Sequence, residues 1–182
     1  MNNAPLKKPT LATVWLDGCS GCHMSFLDID DRLLDLAARA DLVYSPLVDR
    51  KEFPEQVDIT LVEGAVSSED DLVKIKKIRA HTRILVSLGD CAVTSNVPGM
   101  RNPFGVQAVL DRAFLDNVTI PHAFPSRVIP LLLEQSRPVH EIVPVDVFVP
   151  GCPPSADVIY QLIDDLLSGR PWPADARPRF GA

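Results

Sequence analysis

Apolar residues in this chain follow two alternating rhythms, short continuous runs and longer runs at helical spacing. Residues 11–16 form a β-branched and aromatic run closed by a glycine-bearing turn, which predicts a first strand with Trp15 in the core. Over residues 23–40, Phe26, Ile29, Leu33, Leu36 and Ala37 recur at helical spacing, with acids early and arginines late. That pattern predicts one long helix. Residues 42–48 and 57–66 predict two further strands, the second apolar almost throughout until Glu63, as in a strand covered on both faces. Ser67 and Ser68 stand before Glu69, Asp70 and Asp71, offering hydroxyl caps and first-turn acids to a helix that carries Leu72, Ile75 and Ile78. Residues 83–88 and 145–149 read as a fourth and a fifth strand. A last helix spans 155–167, with Ile159, Leu162, Ile163 and Leu166 on one face and Gly169 as its stop. Strands alternating with helices predict an α/β fold, a parallel sheet with helices on both faces.

Residues 92–144 depart from this rhythm. They hold Pro98, Pro103, Pro121, Pro125, Pro130, Pro138 and Pro144, with one helix suggested at 105–114. So many prolines exclude a simple crossover helix. A stretch this long is either an excursion packed on its own domain or a surface for a partner.

Composition narrows the class. The 182 residues suit one domain, spanning 1–182, and 46% apolar with 23% charged residues and a mean hydropathy of +0.09 excludes a disordered chain. The net charge is −6 and no basic run exceeds Lys7-Lys8 or Lys76-Lys77, which argues against nucleic acid as a partner. No apolar stretch approaches the ~18 residues of a membrane span. After Lys7 and Lys8 the first apolar run stops at Asp17 with no cleavage site, so the start reads as that of a mature cytoplasmic protein.

Chemistry concentrates in four cysteines, Cys19, Cys22, Cys91 and Cys152. Each follows an expected strand, so all four are expected at the carboxyl edge, where open α/β sheets bind ligands. Four thiolates in one place call for a metal to balance their charge. A single Cys-X-X-Cys pair with two distant single cysteines suits an iron–sulfur cube, whose irons spread the ligands, better than zinc, which more often takes two close pairs. Buried inert thiols, a Cys19/Cys22 redox pair and a zinc-bearing structural domain stay open at this point. Asp17 and Asp90 read as turn caps, and His23 reads as an ordinary packed or solvent-facing histidine.

Four ordered motifs carry a resemblance over nearly the whole chain. The run Trp15-Leu-Asp-Gly-Cys19-Ser-Gly-Cys22-His-Met-Ser-Phe-Leu-Asp28, the turn Val62-Glu63-Gly64, Leu88-Gly-Asp-Cys91 and Pro150-Gly-Cys-Pro-Pro154 resemble the small subunits of nickel–iron hydrogenases. The stretch from Cys22 to Asp28 is most similar to the delta subunits of soluble NAD-reducing hydrogenases. The resemblance implies a flavodoxin-like domain in which Cys19, Cys22, Cys91 and Cys152 ligate the iron of one [4Fe-4S] cluster, nearest the NiFe centre of a separate large subunit. It also implies a cytoplasmic assembly whose flavin and Fe-S (diaphorase) subunits carry FMN and react with NAD. Electrons would leave this chain after one cluster, since no cysteine follows Cys152. Deazaflavin-linked and sulfur-linked hydrogenases are the nearest alternatives. The first motif of the related complex I subunit has adjacent cysteines, whereas Ser20 and Gly21 separate the pair here. No catalytic residue is expected in this chain, although Glu63 matches the family's Glu-Gly turn, as a structural acceptor or a proton relay. No Ser/Thr-rich phosphate loop follows the first strand, which argues against a flavin in this chain.

Overall fold

Each strand of the main sheet sends alternate side chains to opposite faces, and helices cover both. The computed structural model describes residues 8–119, 124–125 and 127–172, so Lys7 of the basic pair and Pro121 of the proline-rich stretch lie outside it. In chain order the elements begin with β1 (Thr10–Trp15), α1 (Gly21–Leu27), α2 (Arg32–Arg39), β2 (Asp41–Tyr44), β3 (Val57–Glu63), β4 (Val66–Ser68) and α3 (Glu69–Ala80). There follow β5 (Thr82–Leu88), α4 (Asp90–Thr94), α5 (Asn96–Gly99), α6 (Val106–Asp111), β6 (Leu132–Arg137), β7 (Val147–Val149) and α7 (Ala156–Leu167).

Five strands pair in parallel in the order β2-β1-β3-β5-β7. Leu11, Ile59, Leu61, Val86, Leu88 and Val149 face Phe26, Ile29 and Leu36 on one side, with Ile159, Leu162 and Ile163 of α7. Val14, Val62 and Leu85 face the other side, toward Ile75 and Ile78 of α3 and Ala92 of α4. Each such buried aliphatic chain contributes about 1.5–3 kcal/mol, so these two layers hold the sheet edge rigid. The strand order reverses between β1 and β3, the switch point at whose carboxyl ends open α/β sheets bind ligands. The expected flavodoxin-like arrangement is therefore present. The serine–acid signal before α3 is also met: the Ser68 hydroxyl accepts the Asp71 N–H at 3.1 Å, and the Asp71 carboxylate accepts the Ser68 N–H at 3.0 Å.

Several expectations need correction. The helix foreseen over 23–40 is two helices, because Asp30 takes a left-handed φ of 59° between them, a conformation short acidic side chains tolerate. The strand foreseen over 57–66 ends at Glu63; Gly64, at φ 91°, turns the chain into β4. A Cβ on Gly64 would sit 2.8 Å from the Asp17 carbonyl oxygen, so only glycine fits this turn. Trp15 is not core: it is 44% exposed, and its indole N–H donates to the Gly18 carbonyl at 3.1 Å. The helix suggested at 105–114 is α6 followed by a π-helical turn over Arg112–Asp116. The proline-rich stretch also contains β6, which pairs antiparallel with β4 in a separate two-stranded sheet. No described helix is long and apolar enough to cross a membrane.

Candidate functional site

The carboxyl edge of the sheet gathers the four cysteines. Cys19 lies in the loop after β1 and is exposed; Cys22 lies in the first turn of α1 and is buried. Cys91, part-buried, opens α4 directly after β5, and Cys152, exposed, lies between β7 and α7. Glycines clear the space around the sulfurs. A Cβ on Gly21 would come within 3.2 Å of Cys19 Sγ, and Gly89 leaves no room for a side chain beside Cys22 Sγ.

Hydrogen bonds tie the cysteine-bearing segments to one another. The Asp90 N–H donates to the Gly151 carbonyl at 2.9 Å, and the Gly151 N–H donates to Asp90 Oδ1 at 2.7 Å. The Gly89 N–H donates to the Val149 carbonyl at 2.8 Å, and the Ser25 hydroxyl donates to the Pro154 carbonyl at 2.5 Å. The Cys152 segment is thus fastened to the segments of both Cys91 and Cys22. On the β1 side, Asp17 and Ala65 exchange N–H···O bonds of 3.1 and 2.7 Å, which fixes the approach to Cys19.

Behind the sulfurs lies a buried polar chain. Glu63 ends β3, and its Oε2 accepts the His23 backbone N–H at 2.9 Å. The same oxygen meets His23 Nδ1 in a short hydrogen bond. His23 Nε2 lies 3.0 Å from Thr13 Oγ1, whose hydroxyl donates onward to Ser45 Oγ at 2.8 Å. With the Thr13 proton committed to Ser45, Nε2–H is the donor to Thr13, and one further proton is shared between Nδ1 and Glu63. Glu63 and His23 are 2% and 7% exposed, so the charge is compensated within the pair, as a buried carboxylate requires.

This surrounding decides the state of the thiols. Burial, and next the Glu63 carboxylate, push the Cys22 thiol far above its ordinary range, and the other three cysteines add to the rise. Burial also raises Cys91, while a hydrogen bond from the Val97 backbone N–H works the other way. Without a cation Cys22 keeps its proton, and a metal must displace it to bind there.

The donor set is all sulfur, which suits soft metals and iron–sulfur groups. Among the described residues, no three Cys, His, Asp or Glu side chains converge where one ion could be held. A single tetrahedral zinc would need its sulfurs about 2.3 Å from one point. Glycines beside Cys19 Sγ and Cys22 Sγ keep side chains out of the space next to these sulfurs.

All four cysteines expected at this edge are found there, together with Glu63. Asp90 ties two turns together, as its capping role foresaw, whereas the Asp17 side chain is exposed and only its backbone pairs. His23 proves buried and doubly hydrogen-bonded. Sequence reading missed Thr13, Ser25, Ser45 and Asn96. Thr13 alternates with apolar Ala12 and Val14, which could have marked it as a polar group on a buried face; the others carry no local signal.

Comparison with known proteins agrees with this geometry. Residues 19–166 match the family described as NADH ubiquinone oxidoreductase, 20 kDa subunit. The chain is 42% identical over 170 residues to the delta subunit of the NAD-reducing hydrogenase HoxS of Cupriavidus necator, covering 91% of this chain and 81% of that one. It is 36% identical over 169 residues to a subunit of the F420-non-reducing hydrogenase of Methanothermobacter marburgensis, covering 90% of this chain but only 54% of that relative. Among solved structures, a chain of an NAD+-reducing [NiFe]-hydrogenase in the H2-reduced state superposes with a TM-score of 0.89 at 41% identity, covering 94% of this chain and 99% of that one. A [NiFeSe]-hydrogenase chain from Dm. baculatum shares the fold, with a TM-score of 0.60 at 20% identity, covering 95% of this chain and 70% of that one.

Proposed function

Because the chain belongs to the family of the NADH ubiquinone oxidoreductase 20 kDa subunit, among its [NiFe]-hydrogenase small subunits, we propose that it is the electron-transfer small subunit of a cytoplasmic NAD-reducing [NiFe] hydrogenase. In this reading Cys19, Cys22, Cys91 and Cys152 hold one [4Fe-4S] cluster. When bound, such a group exchanges single electrons at a potential set by ligation, hydrogen bonds to sulfur and burial. The chain's own residues do the rest. Asp90, Gly151 and Ser25 hold the ligand segments in register, Gly89 and Gly21 keep their neighbourhood open, and Glu63 with His23 backs the buried Cys22.

The observation that supports the reading is that each of the four cysteines follows a strand at the same carboxyl edge, where hydrogen bonds tie the Cys152 segment to those of Cys91 and Cys22. Its partners would be a large subunit bearing the NiFe centre and a flavin/Fe-S module reacting with NAD. Trp15, Met24, Leu27, Val97, Met100 and Phe104 are exposed apolar residues around or near the cysteine-bearing segments, as a protein-covered edge requires. Glu63 could pass a proton through His23, though both side chains are fully committed in the isolated chain.

The test is anaerobic purification of the complex from its host, with Cys152→Ser compared with the unaltered protein. The variant should lose about four iron and four sulfide per complex and the matching low-temperature EPR signal. Unchanged iron content and signal would overturn the ligand assignment. Hydrogen uptake that reduces a deazaflavin or sulfur but not NAD+ would move the chain to another hydrogenase branch.

A further inference from the structure

One turn of the chain presents an N–H donor to a cysteine that lies far away in sequence. Asn96 Nδ2 stands 3.6 Å from Cys152 Sγ, within hydrogen-bonding range for sulfur. Asn96 sits at the junction of α4 and α5, where Ser95 adopts a left-handed φ of 66°. That conformation is unfavourable for a side chain with a Cβ and persists only where surroundings impose it. Here they do. The Ser95 N–H donates to the Cys91 carbonyl at 3.0 Å, and Ser95 Oγ lies 2.7 Å from Ser136 Oγ. The Ser67 hydroxyl donates to Ser136 Oγ at 2.6 Å, and all three serines are buried. Asn102 grips the Ser136 backbone from both sides, accepting its N–H and donating to its carbonyl, each at 2.8 Å. A strand of the proline-rich stretch, β6, thus props the turn that aims Asn96.

We infer that Asn96 is a positioning residue whose amide N–H to the Cys152 sulfur raises the reduction potential of the group bound there, with the Ser95–Ser136–Asn102 network holding it in place. This rests on the reading of the four cysteines as cluster ligands. The reasoning is electrostatic: an added electron increases negative charge on the ligand sulfurs, and a fixed donor favours that state over the oxidised one.

The experiment uses the anaerobically purified complex, with Asn96→Ala and the isosteric Asn96→Asp, read by iron and sulfide content and by EPR-monitored redox titration. With iron retained, Asn96→Ala should lower the reduced-to-oxidised ratio at fixed potential about tenfold, about 59 mV for a one-electron couple. Asn96→Asp, which replaces the donor by a carboxylate, should lower it further. An unshifted potential in an iron-replete Asn96→Ala complex would overturn the inference alone. Loss of iron from both variants would also overturn it, by assigning the residue to holding the site together. Absence of the cluster from the unaltered complex would instead defeat the ligand reading on which it stands.

Discussion

Gly89 and Cys22 are packed so that any side chain on the first would strike the sulfur of the second: a Cβ there would fall well inside van der Waals contact with Sγ. Gly89 also has a φ of 81°, and its N–H is held by Val149, so the backbone has no slack to yield. Gly89→Ala should therefore displace Cys22 and cost about 1–3 kcal/mol for a backbone conformation that essentially only glycine adopts, before the collision is counted. Iron per complex should fall to less than half, with a lower unfolding midpoint. Full iron content in that variant would show that the two segments are not fixed against each other.

The Glu63–His23 pair makes a second expectation. Glu63→Gln keeps the shape and an acceptor for the His23 backbone but removes the charge, and should cost about 1–3 kcal/mol. Glu63→Ala leaves the imidazole and its N–H without a partner, and should cost about 3–5 kcal/mol. Denaturant unfolding of the two variants checks the order. Equal losses would mean that the carboxylate is not the partner that matters.

Acid should weaken the sheet at its amino edge through Asp58. Its Oδ2 accepts the Thr10 N–H at 2.9 Å and the Thr10 hydroxyl at 3.0 Å, and its Oδ1 faces Arg83. These bonds, led by the Thr10 backbone, hold the Asp58 carboxyl below its ordinary value of 3.8. The folded form thus binds the proton less readily than the unfolded one. The contribution is whole above that ordinary value and fades as the pH falls through the lower folded one. Asp58→Asn should be less stable than the unaltered protein at neutral pH, and the gap should shrink below that ordinary value. A gap that stays constant in acid unfolding would contradict this.

The exposed apolar residues Val97, Met100 and Phe104 sit within or just after α5, the helix that follows the Asn96 turn. If the large subunit covers them, amide exchange over residues 96–104 should slow several-fold in the complex. Mass-resolved exchange with and without the partner measures this directly, and identical rates would place the interface elsewhere.

Much of this architecture was legible in the order of residues. The five strands follow from short apolar runs and the capped α3 from serine before acids, both local signals. What stayed hidden was set by tertiary contact. The break before α2 depends on Asp30 entering a left-handed turn, and the end of β3 depends on how closely Gly64 passes Asp17. Trp15 has the composition of a core residue but lies at a strand end where the sheet stops. The four cysteines were locatable because each follows a strand. Asn96 was not, because its only distinction is a neighbour more than fifty residues away, reached through a serine in a strand that proline content had obscured.

The parallel order of the sheet has a consequence for assembly. Cys19 and Cys22 emerge with the first strand, whereas Cys152 follows β7, which among the described residues is the last strand and pairs with β5 alone. If the four cysteines are the ligands proposed above, a growing chain that has not yet delivered β7 offers an incomplete set. Under that proposal the bound group could be held in full only once β7 is in place, which ties its insertion to closure of this side of the sheet.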